Sequence, residues 1–368
     1  MKGDPGSRGY RVDMPRVTLQ TIADRVGVSR MTVSNAFSRP DQLSPALRER
    51  ILAAAQDLGY VGPDPTARAL AKGTTGAVGI LLTDSLRYAF TDLVAGGFLA
   101  AIAGELAPTG LAITLLTSAA AGDVVPARDV AIDGAVVYSC DPTSPAVSWL
   151  RRRNLPMVFV DQDQVDDVAS VNIADRAGAR AAAQHLIDLG HRRFAIAMNG
   201  ENGRHGFITD PSTLIEGHAS HQRRLGWSDV LEPAGVKPAF LRHPLEKTED
   251  VRRDARVLLA AEDRPTAFLC FSDTTAVGVR QAAEDLRLRV PEDLSIVGFD
   301  DGPDAVRMQP ALTTVRQDVV AKGQAAAAAL TEAIRRSRGG PAGPVPHIML
   351  PTELVIRDSS GPAPRTPV

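Results

Sequence analysis

The chain of 368 residues (39.0 kDa) is 44% hydrophobic and 23% charged. That balance builds a folded core and excludes a disordered or low-complexity protein. Aromatics are only 4%, so Ala, Val, Leu and Ile must fill the interior, and a net charge of −2 excludes a chain that is basic throughout. At about 100–200 residues per domain, the length predicts two or three domains.

The charge is unevenly placed. Residues 1–74 hold 11 Lys and Arg against 7 Asp and Glu, leaving 30 basic and 36 acidic residues to the remainder. A head of +4 on a body of −6 predicts separate tasks for the two parts. Cys140 and Cys270 lie 130 positions apart, outside any Cys-x-x-Cys pair. This excludes a disulfide framework and a cysteine zinc site, and fits a reducing compartment. The polar N-terminus lacks the apolar stretch of a secretory signal. The longest uncharged run, Leu106 to Gly122, has 17 residues and is interrupted by Pro108 and Gly110. A membrane span takes about 20 apolar residues. A cytoplasmic protein without membrane contact is expected.

Residues 1–15 read as a disordered tail, within which Met1 and Met14 are the alternative translation starts. Leu19, Ile22, Ala23 and Val26 recur at i, i+3, i+4 and i+7. They predict a helix capped by Thr18 and stopped by Gly27. Ser29 caps a second helix with Val33, Ala36 and Phe37 inward. Ser44-Pro45 opens a third, whose stripe is Leu47, Ile51, Ala54 and Leu58. Each stripe is too small to stand alone, so the three helices must pack together as a domain over 16–62. Pro63-Asp64-Pro65 breaks the pattern, and Thr66–Lys72 has helical composition with little to bury. Residues 63–75 read as a hinge.

From Gly76 the rhythm changes. Ala77–Leu82, Leu111–Leu116, Ala135–Tyr138, Met157–Val160, Phe194–Met198, Ala267–Phe271 and Leu294–Gly298 read as buried strands. Helical segments such as Asp92–Leu106, Asp175–Leu189, Glu249–Ala261 and Thr274–Leu286 fall between them. This alternation predicts parallel sheets with helices on both faces. The stretch 76–358 exceeds one core, so two doubly wound lobes are expected. The first takes about 76–173 and 317–340, the second about 174–316 and 347–358. Glu353–Ile356 is a last strand-like run, and 359–368 reads as a tail.

A short helix, a glycine turn and a second helix with one polar face form a helix-turn-helix pattern. Arg30, Met31, Ser34 and Asn35 share the face opposite Val33 and Phe37. Arg bonds guanine O6 and N7, and Asn bonds adenine N6 and N7. Thr32 and Ser34 suit phosphates, which position without specifying. From periodicity alone, a solvated face of a small bundle reads equally well.

Val17-Thr-Leu-Gln-Thr-Ile-Ala-Asp-Arg-Val-Gly-Val-Ser-Arg-Met-Thr-Val-Ser34 resembles the N-terminal signature of the lac repressor (LacI/GalR) family of bacterial transcription regulators. The match continues through Leu58-Gly59-Tyr60, Ala67-Arg68-Ala69-Leu70-Ala71, Leu189-Gly190-His191, Ser272-Asp273, Val297-Gly298-Phe299-Asp300-Asp301 and Leu350-Pro351-Thr352-Glu353-Leu354. The resemblance implies an all-α helix-turn-helix headpiece on an α/β body like that of periplasmic binding proteins. It places Arg30, Met31 and Asn35 on operator bases, within a DNA-contacting set of Thr18, Ser29, Arg30, Met31, Thr32, Ser34, Asn35, Ala67 and Leu70. Ala67–Leu70 looks like the family's hinge helix, with Leu70 the leucine that wedges into the minor groove. One residue, Gly62 or Pro63, is inserted relative to the commonest hinge spacing.

The same resemblance implies an effector bound between the lobes, outside the carboxyl ends of the strands. Polar residues at such ends are Asp84, Asp141, Asp161, Ser272-Asp273 and Asp300-Asp301. The candidate effector set is Phe90, Asp161, Arg223, Asp273, Asp300 and Gln317. Helix capping by Asp273 or Asp301, and plain ion pairing by Arg223, are the structural alternatives. Ala174-Asp175 stands where many relatives have Asp-Asn, which removes a polar group near the lobe crossover. His205, His218 and His221 share no helix face with a fourth ligand, so the polar segment 199–224 reads as a surface loop without metal. Cys270 reads as a small core residue, and Cys140 ends a strand beside the cleft.

These features predict a repressor-type transcription regulator. It would bind a pseudo-palindromic double-stranded DNA operator as a homodimer, take a carbohydrate effector and need no cofactor. No G-x-S-x-G, Walker A, H-E-x-x-H or dinucleotide fingerprint supports an enzyme. A transport-binding protein would lack the head. No heptad follows residue 339, so a tetramerising coil is not expected.

Overall fold

A computed structural model describes residues 17–62, 64–82, 86–118, 124–139, 144–200, 203–214, 217–244, 247–341 and 343–364. The expected tail with Met14, and Asp84, Cys140 and Asp141, lie outside the described residues. Two compact units meet in sequence at Thr75 and Gly76.

In the first unit, α1 (Leu19–Val26), α2 (Arg30–Ser38) and α3 (Pro45–Asp57) enclose Ile22, Ala23, Val33, Ala36, Ile51 and Ala55. Each helix begins on a hydroxyl that accepts from the orphan N–H of its third residue: Thr18 from Thr21, Ser29 from Thr32 and Ser44 from Leu47. Gly27, at φ 78°, ends α1 in the left-handed region that glycine adopts without a Cβ clash. Phe37 is half-buried and meets Tyr60 edge-on at 5.7 Å. On α3 it is Ala55, one turn beyond Ile51, that reaches the centre; Leu47, Ala54 and Leu58 flank it. The predicted helix at 66–72 is α4 (Pro65–Lys72), with Asp64 accepting from the Thr66 and Ala67 N–H groups.

The second unit holds two parallel-sheet lobes. In the first lobe β1 (Ala77–Leu82), β2 (Ala112–Thr117), β3 (Ala135–Tyr138), β4 (Met157–Val160) and β5 (Ala169–Ile173) alternate with α5 (Leu86–Thr91), α6 (Leu93–Leu106), α7 (Pro126–Asp129) and α8 (Pro145–Arg152). The second lobe contains β6 (Phe194–Asn199), β7 (Gly206–Ile208), β8 (Ala239–His243), β9 (Ala267–Cys270), β10 (Ser295–Asp300) and β11 (Thr313–Gln317). Its helices are α9 (Asp175–Asp188), α10 (His218–Leu231), α11 (Thr248–Leu259), α12 (Asp273–Asp285) and α13 (Pro303–Arg307). The chain then returns as α14 (Val319–Ser337) and β12 (His347–Leu350) to the first lobe, and as β13 (Thr352–Val355) to the second.

Strand order is β12-β5-β4-β3-β1-β2 in one sheet and β13-β11-β10-β9-β6-β8-β7 in the other. Both faces of each sheet are covered. Along β4, Val158 and Val160 join a cluster with Phe98 and Leu330, while Met157 and Phe159 join one with Val147 and Leu150. Strand alternation makes the division. Cys270 is buried in the second lobe among Phe268, Ala276 and Leu312, the small core residue expected.

Four expectations are corrected. His347–Leu350 lies in the first lobe, not the second, because it pairs in parallel with β5, from His347 opposite Ser170 to Leu350 opposite Ile173. Gln317 belongs to β11, so the crossover into the first lobe comes at Asp318. The supposed loop at 199–224 contains β7 and the start of α10. Residues 359–363 are no tail. Ser359 is fully buried; its hydroxyl donates to the Ile296 carbonyl at 2.6 Å and accepts from the Thr313 N–H at 2.8 Å.

His191 anchors the same strap. Its Nε2–H donates to the Gly361 carbonyl at 3.0 Å, so Nδ1 accepts from the Thr266 hydroxyl at 2.9 Å. Burial lowers the His191 pKa, which keeps this tautomer neutral. A chain ending at Asp358 leaves the Ile296 and Thr313 N–H groups without partners and takes the Gly361 carbonyl from His191 Nε2. The body should lose about 2–5 kcal/mol, read from urea denaturation; an unchanged midpoint would show that the strap adds nothing.

Candidate DNA-reading helix and effector cleft

On α2 the inward positions are Val33 and Ala36, and the outward ones begin with Arg30 and Met31, the latter 70% exposed. Ser34 and Asn35 are half-buried, and Asn35 Nδ2 donates to Gln42 Oε1 at 3.2 Å. The hydroxyls of Ser29 and Thr32 lie 2.8 Å apart, and Thr18 is engaged in its capping box. These hydroxyls fix the helix starts, while the exposed Arg30 and Met31 take no part in the caps. On α4, Ala67 is exposed and Leu70 is 86% exposed. A leucine so placed on a helix of eight residues adds nothing to a core.

The body brings four of its six candidates into one buried polar chain. Arg223, from α10, donates through Nε to Asp175 at 2.7 Å and through Nη1 to the Phe271 carbonyl, with Asp300 at 3.6 Å from Nη2. Its guanidinium lies over the Phe299 and Phe271 rings, 3.5 Å and 4.4 Å from their centroids. Asp300 accepts from Gln317 Nε2 at 2.7 Å. The Gln317 oxygen accepts from Lys322 Nζ at 2.8 Å, and Lys322 also donates to Asp161 at 2.7 Å. Asp161 and Lys322 belong to the first lobe, and Gln317, Asp300, Arg223 and Asp175 to the second, so the chain joins the two. His218 Nδ1 and Asp163, 2.7 Å apart, make a further contact between the lobes.

Backbone strain marks the same place. Ser139, Asp161 and Asp301 take φ of 52–56° and Asp300 takes 113°, where side chains other than glycine are rare. Each stands at the carboxyl end of a parallel strand. Burial pushes the Asp300 carboxyl up to about 7, against the opposing pull of Arg223. Burial likewise raises Asp175.

Asp273 and Phe90 stand apart from this chain. Asp273 is buried at the start of α12, where its oxygens accept from the Thr314 hydroxyl at 2.5 Å and the Gly302 N–H at 2.8 Å. Its carboxylate lies where a Cβ on Gly298 would be, so the glycine of Gly298-Phe299-Asp300 makes room for a structural tie. Asp301 caps no helix; it pairs with Arg316 at 2.7 Å and Arg357 at 2.6 Å. Phe90 is 72% exposed on α5. Among the described residues no group of His, Cys, Asp and Glu is arranged for a metal, and no helix is long and apolar enough to cross a membrane.

Sequence reasoning missed Lys322, Tyr138 and the role of Asp175. Lys322 lies on the buried stripe of α14 with Ala326 and Leu330, a lone cation on an inward face, and that spacing was the available signal. Tyr138 stacks on Phe98 at 4.5 Å, with Lys322 Nζ 5.7 Å from its ring. Asp175 does not thin out the crossover; it supplies the carboxylate that holds Arg223.

Lys322→Met strands Asp161 as an uncompensated buried charge and should cost about 3–5 kcal/mol; adding Asp161→Leu should restore most of it. Urea midpoints of the two variants check this, and equal losses would contradict the pairing. Because the folded pKa of Asp300 is raised, the native state binds more protons than the unfolded one between about pH 4 and 7. Stability from this group therefore falls as pH rises through that window. Asp300→Asn removes the dependence, so its melting temperature relative to the parent should climb from pH 4 to 7. A flat difference would count against the raised pKa.

The family model "Bacterial regulatory proteins, lacI family" matches residues 18–62, and "Periplasmic binding protein-like domain" matches 183–360. An HTH-type transcriptional regulator of Mycolicibacterium smegmatis is 36% identical over 94% of this chain and 97% of its own length. The lac repressor dimer bound to operator and the anti-inducer ONPF superposes with a TM-score of 0.71 at 24% identity, covering 94% of this chain and 99% of that one. A CelR–cellobiose complex, a transcriptional regulator, gives 0.66 at 24% identity over 94% and 100%. The fold and the sequence agree: the chain belongs to the LacI family of bacterial transcriptional regulators.

Proposed function

We propose that this regulator is a repressor whose operator affinity is set by a small sugar or sugar derivative held between its lobes. The observation that carries the reading is the hinge helix. α4 is capped at both ends yet exposes Leu70 almost completely. Apolar wedges of this kind insert between base steps, unstack them and kink the duplex. Arg30 and Met31 on the outer face of α2 would enter the major groove, the guanidinium to guanine and the thioether against a thymine methyl. Two heads of a homodimer would read half-sites one helical turn apart, on a pseudo-palindromic operator.

The buried chain from Asp161 to Arg223 supports the effector half of the reading. It joins the lobes with groups that donate and accept, which is what a polyol engages. The cellobiose in the CelR complex is consistent with that class. A coupling of about 1–3 kcal/mol between cleft and hinge suffices to change DNA affinity several-fold or more.

Leu70→Ala should abolish the sequence-specific complex in a mobility-shift assay. Weak, salt-sensitive binding to any duplex should remain, since phosphate contacts supply that term. Undiminished specific affinity would defeat the wedge. A protein that shows no specific complex, with or without sugars, would defeat the function itself.

A further inference from the structure

The buried chain has unmet demands, and all are of one kind. Asp161 Oδ1 and Asp175 Oδ2 are buried without a hydrogen-bond partner, and so are Gln162 Oε1 at the end of β4 and Asn199 Oδ1 at the end of β6. Each is an oxygen that accepts. Asp161 and Asp175 are 6% and 2% exposed, and both are already engaged through their other oxygen, by Lys322 and Arg223 respectively. A buried acceptor left open is costly, so whatever completes these sites must bring donors.

Charge points the same way. Arg223 acts on Asp175 and Asp300, and Lys322 on Asp161, with Asp92 also within the electrostatic reach of Asp300. Among the described residues of this cluster, both cations are spent on internal partners, while Asp161 and Asp175 each keep one oxygen open. An incoming phosphate or carboxylate would bring further acceptors to buried oxygens that need donors.

Resting on the effector reading above, we propose that the cleft selects an uncharged polyol and rejects its phosphate ester or acid. Asp161 Oδ1 and Asp175 Oδ2 are the acceptors that take its hydroxyls. Lys322 and Arg223 are positioning residues that hold those two carboxylates in place.

The test uses the full chain and charge-matched probes: glucose, galactose, ribose, mannitol and cellobiose, against glucose 6-phosphate, galacturonate, ribose 5-phosphate and mannitol 1-phosphate. Thermal shift finds the binders and calorimetry ranks them. An uncharged member should bind, and any anionic counterpart should bind at least about tenfold more weakly. An anionic member that binds as tightly as its parent overturns the charge selection but leaves the effector reading standing. Silence from every probe of both series overturns the effector reading as well. Asp175→Asn, which keeps the size and removes the charge, should weaken the uncharged ligand about tenfold and narrow its margin over the anionic one. A loss equal for both series would make Asp175 merely structural and refute its role in selection.

Discussion

The body depends on one buried electrostatic arrangement, in which two cations and several carboxylates are held out of water where the lobes meet. Arg223 is fixed by Asp175, Asp300 and the Phe271 carbonyl between two aromatic rings, and Lys322 by Asp161 and Gln317. Charges this deep are tolerated only when each finds an opposite charge and its hydrogen bonds. The arrangement therefore constrains its surroundings. It requires strand ends that turn sharply at Asp161, Asp300 and Asp301, and a glycine at 298 so that Asp273 can brace the neighbouring strand.

Because the chain of bonds passes from one lobe to the other, the lobes are not independent. The backbone crosses between them at Ala174, Asp318 and Pro351, and the polar chain runs beside the first two crossings. A change in lobe orientation must stretch or rearrange bonds from Lys322 to Gln317 and from Gln317 to Asp300. A ligand that supplied donors to the open oxygens would shift that balance, which on the proposed reading links occupancy to shape.

The head obeys a different economy. Its core is six small or medium side chains, and its helices depend on hydroxyl caps for definition. Among its outward side chains, Met31 and, on α4, Leu70 are large apolar groups held in solvent, with Arg30 beside the first. Residues 1–74 carry 11 basic against 7 acidic side chains, so the head's net positive charge is modest.

Much of this was legible in the residues themselves. Periodicity and caps located α1 to α3, and buried β-branched runs located most strands, because these signals are local and repeat at fixed spacing. Asp161, Arg223, Asp300 and Gln317 could be named from strand ends and motifs. Their union could not, since residues 161 and 322 meet only after the chain has crossed to the second lobe and back. The same non-locality hid β12 in the wrong lobe and made the buried strap at 359–363 look like a tail. Phe90 is 72% exposed and stands outside that union. Sequence by itself determined the head's helices, most strands of the body, the division into head and body, and the family. Tertiary structure decided which polar groups are buried together, and burial is what turns an ordinary carboxylate into a site.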